Sequence, residues 1–423
     1  MNKLISNYLK KHSVTEWDFA KDYKPLFNNA VVIPAIDEYE NIIHLTRFID
    51  ELDDKYFDKT CFVFVINNSE SASKEIKNAN EKTLEYLSNA KFKYNYNFID
   101  AATKNNQMSE KEAGVGLARK IGMDLALRLF DYNNKDRKLI LCTDADCYFE
   151  KNYLSAVIEH YQKSKSGAGY VDYEHPLPDD ETEKKAIVSY EVFLRYYVLG
   201  LQYSGSPYAF QTIGSTMVCD YESYIKIGGM NKKKAAEDFY FMEKLAKITS
   251  IDRIKGTKIY PAGRKSWRVP FGTGQRINRY LSGTHNEYQL YDPISFEILR
   301  KWINLFHTSN ILTSEDYLKR ANDIHIGLKS FLVENDFKNA WEKIIKNSNS
   351  PVQINKQKMF WFDGFRTLKF IHYLRDKYLP EIGLFKAVEE LLKVIGEGSP
   401  PIENVMNNID LQLKFLQKLR ELT

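Results

Sequence analysis

The sequence predicts an α/β fold: a mostly parallel central sheet flanked by helices, continued by a mainly helical C-terminal extension. Three observations carry that expectation. Apolar runs of strand length alternate with stretches of helical period from Ala30 to Thr143. The fourth such run ends on Asp144-Ala145-Asp146. From about Pro293 onward the pattern is mostly helical. With 423 residues the chain is longer than one hydrophobic core usually spans. The expected division is a lead-in over 1–29, a sheet-containing domain over 30–292 and a helical region over 293–423.

Each element follows from its residues. Ala30 to Ile33 is a short apolar strand closed by Pro34, and Glu38 to Leu52 carries Ile42, Ile43, Leu45, Phe48, Ile49 and Leu52 at helical spacing. Cys61 to Ile66 reads as a second strand, Ser73 to Leu87 as a helix and Tyr94 to Ile99 as a third strand. Glu112 to Phe130 is a long helix with Leu117, Ile121, Leu125 and Leu129 on one side. Lys138 to Thr143 is the fourth strand. Strands alternating with helices imply βαβ units and a parallel sheet, whose ligands bind outside the carboxyl ends of the strands. The loops at Pro34, Asn67, Asp100 and Asp144 are therefore expected to converge on one edge. Farther on, Gly167 to Tyr173 and Gly214 to Cys219 read as strands, Gly228-Gly229 as a turn and Glu237 to Ala246 as a helix. Leu384 to Ile395 and Val405 to Leu422 are the clearest C-terminal helices, and Asn347 to Pro351 reads as a loop.

Composition excludes several classes. The chain holds 60 basic and 56 acidic residues, a net +4, which is too balanced for a nucleic-acid binder. Cys61, Cys142, Cys147 and Cys219 form no CxxC pair, and three lie in or beside apolar runs, the pattern of buried thiols in a reducing compartment. The first residues are not followed by the apolar core of a secretory leader. The most apolar long stretch, Ile187 to Tyr203, contains Glu191 and Arg195, so it reads as a buried or amphipathic helix and not a transmembrane span. A cytoplasmic location is expected, with peripheral membrane contact left open.

The chemistry sits in a few polar segments. Two carboxylates one residue apart at a strand end can share a hard divalent cation, Mn or Mg, that completes its shell with water and substrate phosphates. Asp144 and Asp146 offer that pair, although a solvated acidic turn looks the same. Glu237-Asp238 opens a helix, where the dipole alone favours negative charge and where a carboxylate can also serve as a base.

These segments fall in a familiar order. Val31-Val32-Ile33-Pro34-Ala35-Ile36-Asp37-Glu38-Tyr39-Glu40-Asn41-Ile42 resembles the opening strand and loop of family 2 glycosyltransferases of the GT-A fold. Four more segments follow as they do in that family: Gly116 to Gly122, Thr143 to Asp146, Ile227 to Met230 and Glu237 to Tyr240. The resemblance covers residues 30 to 250 or so.

The resemblance implies a metal-dependent, inverting glycosyltransferase that moves a sugar from a nucleotide-diphosphate donor, a UDP-sugar being favoured, to a hydroxyl. The acceptor would be a glycan, a lipid-linked sugar or a small molecule, in surface polysaccharide or glycoconjugate synthesis. By resemblance, Asp146 is the principal metal ligand and Asp144 lies nearer the ribose or a metal-bound water. Asp238 is the base that takes the acceptor proton, and Glu237 orients the acceptor or its neighbour. Pro34, Ala35 and Glu38 belong to the nucleotide-binding loop, and Arg119 lies near the nucleotide-sugar, where it can bond a phosphate or sugar oxygen. Asn67 stands where many relatives carry an acidic pair; its amide suits a base edge and also suits a turn. His285 is a candidate third metal ligand, or a lone exposed histidine. Gly263 to Arg268, Phe271 to Arg276 and Arg279 make a glycine-flexible basic loop able to close over a diphosphate. Tyr170, Asp172, Tyr173 and His175 suit sugar hydroxyls and equally an ordinary amphipathic strand.

Two rivals remain. A sugar-phosphate nucleotidyltransferase would carry a Gly-rich loop with Arg and Lys after the first strand, which Pro34 to Glu38 does not provide. A non-catalytic sugar-nucleotide-binding scaffold could assemble through the helical region, whose part in acceptor binding, homo-oligomer formation or membrane docking is open.

Overall fold

Apolar runs become sheet strands where both faces of the run find helices to bury against. The structure, a computed structural model, describes residues 3–263 and 272–423. In chain order it contains α1 (Lys3–His12), β1 (Asn29–Ala35), α2 (Tyr39–Ile49), β2 (Thr60–Asn67), α3 (Lys74–Asn89), β3 (Asn95–Ala101), α4 (Val115–Ala126), β4 (Leu139–Cys142), β5 (Tyr148–Phe149) and α5 (Tyr153–Lys163). There follow β6 (Ala168–Tyr173), α6 (Glu181–Tyr203), β7 (Met217–Asp220), α7 (Tyr221–Lys226), α8 (Glu237–Ala246), β8 (Ile251–Tyr260) and α9 (Thr273–Ser282). The remainder is β9 (Gln289–Leu290), α10 (Ile294–Phe306), α11 (Ser314–Ile324), α12 (Ile326–Glu334), α13 (Phe337–Lys346), α14 (Pro351–Trp361), α15 (Gly364–Lys377), β10 (Ile382–Gly383), α16 (Leu384–Val394) and α17 (Ile409–Leu422).

Eight strands form one sheet in the order β3-β2-β1-β4-β7-β6-β8-β5. The first four are mutually parallel, so their carboxyl ends share one edge. β7 runs antiparallel to β4 and β6, β6 pairs parallel with β8, and β5 closes the far side antiparallel. This is the expected α/β, GT-A-like arrangement, with a mixed second half. β1 and β2 are buried at every position. Gly122 lets α4 lie close on them, since a methyl there would overlap Val32 and sit 2.9 Å from Val65 Cγ2.

The helix expected from Glu112 to Phe130 is shorter. It starts after Gly114, and residues 127–129 tighten into a turn in which Arg128 N and Leu129 N bond the carbonyls three residues back. β8 was not visible in the sequence. Its buried residues Ile254, Thr257 and Ile259 break strict alternation, because Gly256 takes a φ of 95° beside a bulge in the pairing with β6.

The chain divides into two compact units, 1–176 with 212–272, and 177–211 with 273–423. These do not follow the expected boundaries at 29/30 and 292/293. Residues 3–12 join the sheet unit because Asp124 of α4 anchors them. Tyr8 and Tyr224 hydroxyls each donate to Asp124 Oδ1 at 2.7 Å, Val14 N donates to Oδ2 at 3.1 Å, and Lys120 Nζ lies 2.9 Å away. Gly229, at φ 77°, leaves Tyr8 the room it needs.

α6 joins the helical unit, although its sequence falls between sheet strands. Its Glu191 accepts from Arg195 Nε and Arg420 Nε at 2.8 Å each, and from Arg420 Nη2 at 2.9 Å. Gly200 receives the ring of Phe296. Trp302, Phe306, Tyr317, Phe337 and Trp341 fill the core of this unit. The charges inside Ile187–Tyr203 thus have protein partners. Among the described residues no helix is long and apolar enough to cross a membrane. All four cysteines are free and buried.

Candidate active site

Parallel pairing brings the loops after β1, β2, β3 and β4 to one edge, and buried amides hold them there. Asn67 Nδ2 donates to the carbonyls of Ala35 (3.1 Å) and Val65 (3.2 Å). Asn80 Nδ2 donates to Asn67 O (3.0 Å) and Asn68 Oδ1 (2.7 Å), while its Oδ1 accepts from Asp37 N (2.9 Å). Asn67, expected at the base, braces the strand ends. Asn80 escaped the sequence reading, since a buried asparagine on a helix face has no local signature. Asp37 sits at φ 55°, a left-handed conformation unusual for a residue with a side chain. Pro34 and Ala35 are buried within β1, and Glu38 is buried at the start of α2, accepting from Asn41. Asp100 closes its own turn by accepting from Ala102 N, Thr103 N and Asn106 Nδ2. Burial pushes its carboxyl upward, but the bonds from Thr103 and its neighbours outweigh that and hold it below the usual range.

The centre of the site is Arg119, on the second turn of α4. Its Nη2 bonds Asp144 Oδ1, in the turn leaving β4, and its Nη1 bonds Glu237 Oε1, the first residue of α8. Arg119 and Glu237 are nearly inaccessible, while the Asp144 side chain is 35% exposed. Close packing fixes this meeting. A methyl on Gly214 would strike the Arg119 guanidinium, and one on Gly116 would strike Lys233 O and sit 3.1 Å from Glu237 Cβ. Ala236, just before Glu237, is held at φ 56°. Such strain persists where the surroundings over-determine it, often at functional sites. Arg119 Nε is buried without a hydrogen-bond partner.

Electrostatics follow from one guanidinium serving several acids. Burial works against the Arg119 charge, but Asp144 and Glu237 outweigh it and the net shift is upward. Glu237 is raised by burial, with Arg119 opposing. Asp238 is pushed up to about 7, first by burial and then by the charge of Glu237. Asp238 Oδ1 accepts from Phe239 N at 2.7 Å. Asp146 is partly exposed in the same turn as Asp144.

Among the described residues no group of three or more His, Cys, Asp and Glu side chains is placed to hold a metal alone. Two carboxylates in an open turn, one already bonded to Arg119, fit a hard cation that takes its other ligands from water and phosphate, and do not fit a closed structural site. His285 belongs to the helical unit, exposed, with Nδ1 3.2 Å from Thr284 Oγ1. In the expected basic loop, residues 264–271 lie outside the described residues. Its later arginines, Arg276 and Arg279, both pair with Glu287. Asp172 takes both its contacts, at 2.8 and 3.0 Å, from Arg253 Nη2.

No protein-family model and no curated protein sequence matches the chain. Solved structures resemble it over most of its length. S. aureus TarS 1–349 covers 94% of this chain and 92% of its own, at 12% identity and a TM-score of 0.37. The same fragment in complex with UDP-GlcNAc covers 93% and 90%, at 12% identity and 0.38. The mannosyltransferase PcManGT from Pyrobaculum calidifontis, in complex with GDP-Man and Mn2+, covers 88% and 90%, at 15% identity and 0.37. Likenesses this distant assign no activity to the chain.

Proposed function

We propose that the sheet unit is a metal-dependent, inverting glycosyltransferase that uses a nucleotide-diphosphate sugar, a UDP-sugar being favoured. The observation that carries this reading is Arg119 holding Asp144 and Glu237 in one cluster, at the edge where four parallel strands end. The strand-end acidic pair and the helix-opening acidic pair therefore share a locale, as the ordered motifs require.

In this reading Asp238 accepts the acceptor hydroxyl proton as the new bond from that oxygen to the sugar carbon forms. The sugar–phosphate bond breaks, and its electron pair leaves with the nucleoside diphosphate. A base with a proton affinity near neutrality suits this task. Glu237, clamped by Arg119, keeps the helix start in place and raises the basicity of its neighbour. Asp146 and Asp144 would hold Mn or Mg, which when bound offsets the charge on the leaving diphosphate. Arg119 limits the repulsion among the carboxylates so that they can stay ionised together.

The test pairs binding with turnover. Calorimetry with UDP should show affinity that requires Mn or Mg and falls at least tenfold or so in Asp146→Asn, with donor hydrolysis lost in parallel. Undiminished metal-dependent turnover in that variant would overturn the assignment.

A further inference from the structure

Positive charge is unevenly spread along this chain. Residues 337–378 hold nine Lys and Arg against three Asp and Glu, a net +6, whereas the whole chain carries +4. The stretch spans α13, α14 and α15 of the helical unit. Some of these bases are accounted for within the fold. Lys358 is fully buried and donates to the carbonyls of Thr308 (3.1 Å) and Asn310 (3.2 Å). Lys338 pairs with Glu315, and Lys377 with Glu334. Lys343, Lys346, Lys356 and Lys369 are exposed and form no ion pair with a described residue.

Apolar side chains stand out among these lysines. Val352 is 79% exposed, and Ile345 and Phe365 are exposed as well. On α14, Val352, Lys356 and Phe360 recur every four residues and so share one face. Ile354 and Lys358 occupy the buried side of the same helix. Lys356 Nζ lies 5.4 Å from the Phe360 ring, and Lys369 Nζ lies 4.6 Å from the Phe365 ring. Both amines thus lie over an exposed or half-buried aromatic ring, so charge and apolar surface are presented together.

We propose that the α13–α15 face docks peripherally on an anionic lipid surface. Interleaved lysine and apolar groups suit that partner, because amines meet headgroup phosphates while valine, isoleucine and phenylalanine enter the acyl boundary. Charge complementarity selects this occupant: a second copy would set the exposed Lys343, Lys346, Lys356 and Lys369 of one molecule against those of the other. The inference is independent of the transfer reaction.

The test is co-sedimentation of the full chain with vesicles of phosphatidylcholine, alone or mixed with phosphatidylglycerol. Partitioning should be at least about tenfold stronger on the anionic vesicles and should vanish at high salt. Lys356→Glu with Lys369→Glu should lower it about tenfold or more. Val352→Glu should weaken it as well, and neither change should alter thermal unfolding. Equal partitioning on both vesicle types, no partitioning, or wild-type partitioning by these variants would overturn the proposal. So would self-association that the variants abolish in the absence of any vesicle binding, which would give the face to a second copy.

Discussion

Two buried arginine–glutamate clusters, one in each unit, are built around opposite centres. In the sheet unit a single guanidinium, Arg119, serves Asp144 and Glu237, with Asp238 close enough to feel both. In the helical unit Glu191 serves both Arg195 and Arg420, and Arg195 Nη1 also reaches the Thr423 main-chain oxygen at 3.4 Å. The first cluster has surplus acid and an opening at Asp144. The second is closed and shielded. Surplus buried acid must be relieved by protons or cations, which suits the proposed chemistry on a diphosphate. A closed cluster only holds helices together, and breaking it leaves charge uncompensated.

The comparison breaks most sharply at Asp238. Asp238→Asn should lower sugar transfer by roughly 10²- to 10⁴-fold in steady-state assays while the protein stays folded. Transfer within a few-fold of wild type would leave the acid-rich cluster without a chemical role. Next in size is Glu191→Ala, which removes the buried carboxylate that Arg195 and Arg420 share. Equilibrium unfolding should show a loss of about 3–5 kcal/mol from the helical unit. A loss no larger than that of a surface substitution would mean the closed cluster is ornamental.

The smallest effect sharpens the contrast through pH. Asp238 binds its proton more tightly folded, at about 7, than in an unfolded chain. Its contribution to stability is therefore fully present in acid and is lost as pH rises through about 7. In the proposed reaction activity runs the other way, because a base must be ionised. The rate should climb through pH 7, and Glu237→Gln should move that limb to lower pH by removing the second cause of the shift. A limb that stays in place would assign the titration to another group.

Much of this was legible in the sequence for a physical reason. β1, β2 and β4 are apolar at nearly every position because both faces are covered, and α8 begins and ends where its charges and period place it. The motifs at Arg119, Asp144 and Glu237 were legible singly. Their joining was not, since Arg119 lies 25 residues from Asp144 and 118 from Glu237. Packing at Gly116 and Gly214 decides that meeting, and no local pattern announces it. Asn80 was hidden for the same reason, as was the assignment of α6 to the helical unit through Glu191 and Arg420.

The opening helix reaches farther than its length suggests. Tyr8 fastens Asp124, one turn beyond Arg119 on α4, so the helix that carries Arg119 is tethered by α1. A shortened chain starting at β1 would deprive Asp124 of two of its donors, Tyr8 and Val14. Anyone trimming the protein for expression should keep everything from α1 through Val14, or expect the Arg119 cluster to loosen from behind.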